Sequence, residues 1–172
     1  MPVLMPTVRL WKQLGAPHPL TPVAPITDSL LGNWSLKSID VPQGRFIIGV
    51  NERTLMAAVF AERPLSRLAS TLSTCVGAQL EVFGIPQERI AAEVSALRSA
   101  MFGKNRDRSL LGILNEVAFQ FEVAAADSEI ASPNKLLEIQ TELNGISHRA
   151  GSPSCVFAHD AIVGLLGAQT FH

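Results

Sequence analysis

Arg106, Arg108 and Glu116 are the residues whose types and spacing come nearest to a recognisable chemistry. They belong to the stretch from Asn105 to Phe121, NRDRSLLGILNEVAFQF, in which a cluster of charge runs into an apolar periodicity. A helix starting near Asp107 or Ser109 would present free N–H groups and the positive end of its dipole there, a setting that suits phosphate. Arginines at that end and a carboxylate further along, as base or metal ligand, would fit a nuclease or other phosphate-ester hydrolase. The competing reading keeps the same residues inside the fold, with Arg108 held by Glu116 or by strand carbonyls. Of Glu116, Glu122, Asp127 and Glu129, most then sit where a helix puts its solvated side. No aromatic residue is interleaved with the basic run Arg98, Lys104, Arg106 and Arg108, so it offers bases nothing to stack on. Nucleic-acid binding in a defence or regulatory system remains an alternative.

Other chemistries leave little trace. The chain has no glycine-rich phosphate loop, no paired histidines flanking a glutamate on one helical face, and no cysteine pair at metal spacing. His148, Cys155, His159 and Asp160 have no spacing that predicts a site, and His18 lies between two prolines in a loop. No cofactor and no metal centre are expected. Cys75 falls on the apolar side of a helical run, which points to an inert packing thiol. Cys75 and Cys155 therefore read as two thiols in a reducing cytoplasm.

At 100° per residue the same stretch has two sides. Leu110, Leu114, Val117 and Phe121 fall within about 60° of one another and should face a core. Arg108, Gly112, Asn115, Phe119 and Glu122 form the opposite stripe. Glycine inside a helix costs roughly 1 kcal/mol relative to alanine, so Gly112 marks a close approach. A strand of the same protein is the expected neighbour, and a partner lying across the glycine between Arg108 and Asn115 is the sharper alternative.

The elements around this helix follow from local pattern. Val3 to Leu14 reads as a short edge strand, tolerant of Pro6, passing into a helix capped by Thr7. Residues 15–27, GAPHPLTPVAPIT, form a proline-rich loop. Asn33 to Val41, Arg45 to Val50 and Thr54 to Phe60 should make an antiparallel meander with turns at Pro42-Gln43-Gly44 and Asn51-Glu52-Arg53. Trp34 reads as a core aromatic rather than a binding platform. Helical spacing runs through Leu65 to Phe83, ending at Gly84, and again from Pro86 through Ile90, Val94, Leu97 and Met101 to Gly103. Ala124 to Ala131 reads as loop. Ser132-Pro133 opens a further helix closed by Asn144-Gly145, residues 146–157 read as loop, and Asp160 caps a last short helix.

Composition bounds the rest. Across 172 residues, 17% are charged and 47% apolar, as expected for a folded chain of one domain. The net charge of -1 argues against a globally basic, polyanion-wrapping surface. Residues 1–108 carry twelve Lys and Arg against eight Asp and Glu, whereas residues 109–172 carry two against seven, so the halves should attract each other. No uninterrupted run reaches the roughly 18 apolar residues of a membrane span, and the N-terminus has no secretory pattern, so a cytoplasmic protein without membrane contact is expected.

The run Arg108-Ser109-Leu110-Leu111-Gly112-Ile113-Leu114-Asn115-Glu116 resembles the signature of a small, uncharacterised bacterial family catalogued as a domain of unknown function, with a motif like Asn-Arg-Ser-Val-Leu-Gly-Ser-Met-Asn-Asp. Thr7 to Leu10, Trp34, Val50 to Leu55 and the pair Leu143-Asn144 are similar to further segments of that family. This sequence departs from it at Asp107, where the family has Asn, at Glu116 for Asp, and in the proline-rich insertion. The resemblance implies no activity; it implies that the Asn51 turn and the stretch from Arg108 to Glu116 lie together.

The expected fold is α+β: an antiparallel sheet of three to four strands covered on one face by four to five helices, in a single domain over residues 1–172. The expected function is a non-catalytic interaction module that binds a protein partner through the groove between the 51–54 turn and the stripe Arg108, Gly112 and Asn115. Trp34, Asn51, Thr54, Arg106, Arg108, Gly112, Asn115 and Glu116 are the candidate binding residues.

Overall fold

The computed structural model describes residues 1–16, 19–20, 29–105, 107–126, 130, 132–148 and 156–167. The proline-rich loop lies largely outside these, as do Arg106, His18 and Cys155. Five strands form one mixed sheet: β1 (Val3–Pro6), β2 (Trp34–Val41), β3 (Gly44–Asn51), β4 (Ala57–Ala61) and β5 (Met101–Phe102), in the order β4-β3-β2-β1-β5. The helices are α1 (Val8–Gln13), α2 (Leu65–Val82), α3 (Gln87–Arg98), α4 (Arg108–Ala126), α5 (Pro133–Asn144) and α6 (Ala158–Leu166). Two further strands, β6 (Ser147–His148) and β7 (Val156–Phe157), pair with each other.

The meander β2-β3-β4 forms as its turn chemistry directs, with Trp34 opposite Asn51 and Val41 opposite Gly44. Gly44 closes the first turn at φ 135°, a conformation that favours glycine. The second turn is built around Asn51. Its Oδ1 accepts from the backbone N–H of Arg53 and Thr54 and from the Thr54 hydroxyl, at 2.9 to 3.1 Å. Its Nδ2 donates to the carbonyls of Leu31 and Asn33 at 2.8 and 3.1 Å. A short amide side chain thus replaces backbone partners that a tight turn lacks.

Two expectations about the sheet are corrected. First, β1 is not an edge strand but runs parallel to both β2 and β5. Pro6 fits there because alternation turns its missing N–H toward β5, whose pairing with β1 stops at Leu4 opposite Phe102. Thr7 then caps α1, accepting from Leu10 N–H at 3.3 Å. Met101 accordingly belongs to β5 and not to a helix running on to Gly103; α3 stops at Arg98. Second, the sheet is covered on both faces. Trp34, Leu36, Ile47, Ala58 and Phe60 join Leu10, α2, α3 and α6 in one core. Ile39, Phe46, Ile48, Val50, Ala57 and Val59 join α4 and α5 in the other. The unbroken run from Phe46 to Val50 is what a strand buried on both sides requires. Two smaller boundaries also move: α4 continues to Ala126, and α6 starts at Ala158 with Asp160 in its first turn.

The outer edge of β4 is closed by side chains of α5. Gln140 Oε1 accepts the Val59 N–H at 2.8 Å, and Asn144 bonds both backbone groups of Ala57. At the other end of the meander a buried Glu93 on α3 holds the segment before β2. Its carboxylate accepts from the Ser29 hydroxyl at 2.6 Å and from the N–H groups of Leu30 and Leu31 at 2.8 and 3.3 Å.

Candidate interaction face

α4 begins where a carboxylate can cap it. Asp107 Oδ1 accepts from the N–H groups of Ser109 and Leu110 at 2.8 and 3.1 Å. An anionic cap suits the positive end of the helix dipole, so aspartate at this position performs the cap an asparagine would. Asn105 braces the cap by accepting from Asp107 N–H and donating to the Ser35 hydroxyl on β2.

From there the helix divides as its periodicity directs. Leu110, Ile113, Leu114, Val117, Phe121 and Ala125 are buried against the sheet, with the Phe121 and Phe46 rings 5.4 Å apart at a 54° tilt. By length and composition α4 would also pass for a membrane span, but its inward face is occupied by β2, β3 and β4. The outward face carries Arg108, Gly112, Asn115 and Glu122, with Phe119 64% and Val123 50% exposed.

Gly112 overturns the expectation of a neighbouring strand: a Cβ built there meets nothing within 4 Å. Among the described residues, none makes the approach that would explain a glycine in mid-helix. Asn115 accepts a hydrogen bond from Lys37 Nζ of β2 at 2.8 Å, which the sequence reading missed. Arg108 has no ion-pair partner among the described residues and is not held by Glu116. Glu116 turns instead toward His148, its Oε2 3.6 Å from Nδ1, with His148 almost fully buried and Glu116 half exposed. Arg108 and Glu116 are eight residues apart on one helix, roughly 12 Å along its axis.

The other candidates are placed elsewhere. Trp34 is fully buried in the core shared with α2, with no partner for its indole N–H among the described residues. Asn51 and Thr54 are buried, bonded to each other within their turn, and Asn51 also ties that turn to Leu31 and Asn33. The alternation of β3 sends the Asn51 side chain to the face opposite α4, so the expected groove between turn and helix is not lined by these side chains. The turn and the start of α4 do share one end of the sheet, since Ser35, which Asn105 contacts, follows Trp34, the partner of Asn51 in the register.

Beside the first turn of α4 lies a cavity of about 610 Å³ lined by Trp11, Lys12, Lys104, Asn105 and Leu111. A second, of about 690 Å³, lies between α2 and α5 next to β4. Neither was legible as a site in the sequence, because each gathers residues from distant segments. Among the described residues no cluster of three or more His, Cys, Asp or Glu is placed to hold a metal.

A family model described as a domain of unknown function, DUF6933, matches residues 3–158. The chain belongs to the DUF6933 family. The match begins with β1 and extends to the first residue of α6, so the whole five-stranded sheet, helices α1 to α5 and the α4 face lie within the DUF6933 match, while the rest of α6 lies beyond it. No curated protein and no solved structure matches the chain.

Proposed function

We propose that this DUF6933 domain is a non-catalytic interaction module that takes a protein partner on the outer face of α4. The observation that carries the reading is Gly112. A glycine in an exposed helix interior costs about 1 kcal/mol, and none of the described residues needs the space it leaves. Beside it, Phe119 keeps most of its ring in solvent while chemically similar side chains on the inward face are buried. A partner whose backbone lies across Gly112 and whose apolar surface covers Phe119 and Val123 would use both features. Arg108 at one end and Glu122 toward the other would select a partner with acidic and basic groups in matching order. A reducing cytoplasm is the proposed setting, in keeping with the free thiol of Cys75.

The test compares capture of a partner from host lysate by the native domain, Gly112→Leu and Phe119→Ala, with circular dichroism and thermal unfolding measured on each. Loss of the same partner in both variants at unchanged fold is expected. Equal capture by a folded Gly112→Leu would sink the proposal.

A second reading, a phosphate-ester hydrolase or nuclease, has one observation in its favour: the half-exposed Glu116 carboxylate approaches the buried imidazole of His148. The separation of Arg108 from Glu116 weighs against their acting on one phosphate. A thermal-shift screen across divalent metals and nucleotides discriminates, since a ligand of the native state raises the midpoint by mass action. Nucleic-acid binding, the third reading, predicts affinity that falls steeply with salt.

A further inference from the structure

We infer that the cavity between α2 and α5 is a binding site for an amphipathic organic anion: an apolar body bearing one carboxylate, sulfonate or phosphate. This site is separate from the α4 face and does not depend on the proposal made for it. Its volume, about 690 Å³, lies in the range of small-molecule pockets. Val59, Phe60, Leu136 and Leu137 give it an apolar wall. Gln140, beside that wall, is already engaged by Val59 N–H, Cys75 Sγ and the side-chain amide oxygen Oε1 of Gln79, at 2.8 to 2.9 Å. The ligand's apolar body would therefore lie against a wall in which the Gln140 amide is satisfied from within.

The charge at the rim has one sign. Arg67 from α2 and Arg98 from the end of α3 both line the cavity, and among the described residues no carboxylate lines it. Neither arginine has an ion-pair partner among the described residues. The hydroxyls of Ser70 and Thr74, also at the rim, donate back to their own helix at 3.0 Å, so they do not compete as donors. Pro133 and Asn134 bring the positive end of α5 to the same opening. Two unpaired guanidiniums over an apolar wall select an anion with an apolar tail rather than a sugar or a neutral lipid.

Cys75 adds no covalent chemistry. Burial pushes its thiol up to about 12, and Sγ is placed to donate to the Val59 carbonyl or to Gln140 Oε1. The site is a binding site.

The probe is 8-anilinonaphthalene-1-sulfonate, with uncharged N-phenyl-1-naphthylamine as its counterpart, each titrated by fluorescence into the full chain. Saturable single-site binding of the sulfonate is expected. Arg67→Gln and Arg98→Gln should each raise its dissociation constant about tenfold and leave the uncharged probe within twofold. Lys12→Gln and Lys104→Gln, at the other cavity, should change neither. Octanoate should displace the sulfonate at lower concentration than octanol does. Both arginines are exposed, so the variants should fold, and their thermal midpoints verify it. Non-saturable binding, equal affinity in the arginine variants, loss in the lysine variants, or displacement by octanol as readily as by octanoate would each overturn the assignment.

Discussion

Asn144 closes both backbone groups of Ala57, its Oδ1 accepting the N–H at 2.7 Å and its Nδ2 donating to the carbonyl at 2.9 Å. One side chain thus does the work of a neighbouring residue on a sixth strand, four residues after Gln140 does the same for Val59 N–H. Sheet edges invite pairing with other chains, and here the two amides occupy β4 where such pairing would start.

Replacing Asn144 with Ala should destabilise the fold by about 2 to 3 kcal/mol, because two buried backbone groups lose their partners together. Urea unfolding of the variant measures this. A cost below about 0.5 kcal/mol would mean that the edge is satisfied by other means, and increased self-association of the variant is expected from the freed edge.

Gly112→Ala should stabilise the protein by about 1 kcal/mol. The position is helical and a Cβ there meets no atom within 4 Å, so only the intrinsic helix preference changes. An unfolding midpoint equal to or below that of the native chain would point to a contact at Gly112.

The Cys75 thiol should resist alkylation. With its value moved from 9.0 to about 12 by burial, the thiolate fraction at pH 8 falls about a thousandfold, and iodoacetamide should react correspondingly slowly in a Cys155→Ser background. The same shift makes stability fall at high pH. Between about 9 and 12 the unfolded chain releases the thiol proton while the folded chain retains it. The contribution is therefore complete below 9 and declines by about 1.4 kcal/mol per pH unit above it. Cys75→Ala should flatten that part of the unfolding curve.

Glu93→Ala should cost about 3 kcal/mol or more. It would leave the Ser29 hydroxyl and the Leu30 and Leu31 N–H groups without the carboxylate that gathers them. Faster amide exchange at Leu30 and Leu31, with β3 still protected, would show that the loss is local to the segment entering β2.

The helices and the meander were legible because each is a local pattern: period 3.6 with caps such as Ser132, or short apolar runs between turn residues. The parallel pairing of β1 with β5 was not, since Met101–Phe102 is too short to show a period and its partner lies at the far end of the sequence. The continuous apolar run of β3 held the information that both faces are covered, but the reading weighed turns more heavily than that run. For the site, the helical wheel put Gly112, Asn115 and Phe119 on one outward stripe correctly, yet it could not show that the space beside Gly112 is empty. Gln140, Asn144 and Glu93 carried a usable signal. Each is a polar residue at a core-facing position of a helix, where it must meet buried backbone or hydroxyl groups.

The placement of β1 between β2 and β5 also sets a sequence of events during synthesis. β1 leaves the ribosome before the other strands of its sheet and can find β2 once Trp34 to Leu36 follow, but its other side waits. The Leu4 carbonyl receives its bond from Gly103 N–H only after the whole α2–α3 hairpin has been made. Until then a nascent chain carries an open strand border in the middle of its future sheet, and that interval is when a holding chaperone or a neighbouring nascent chain has something to grip.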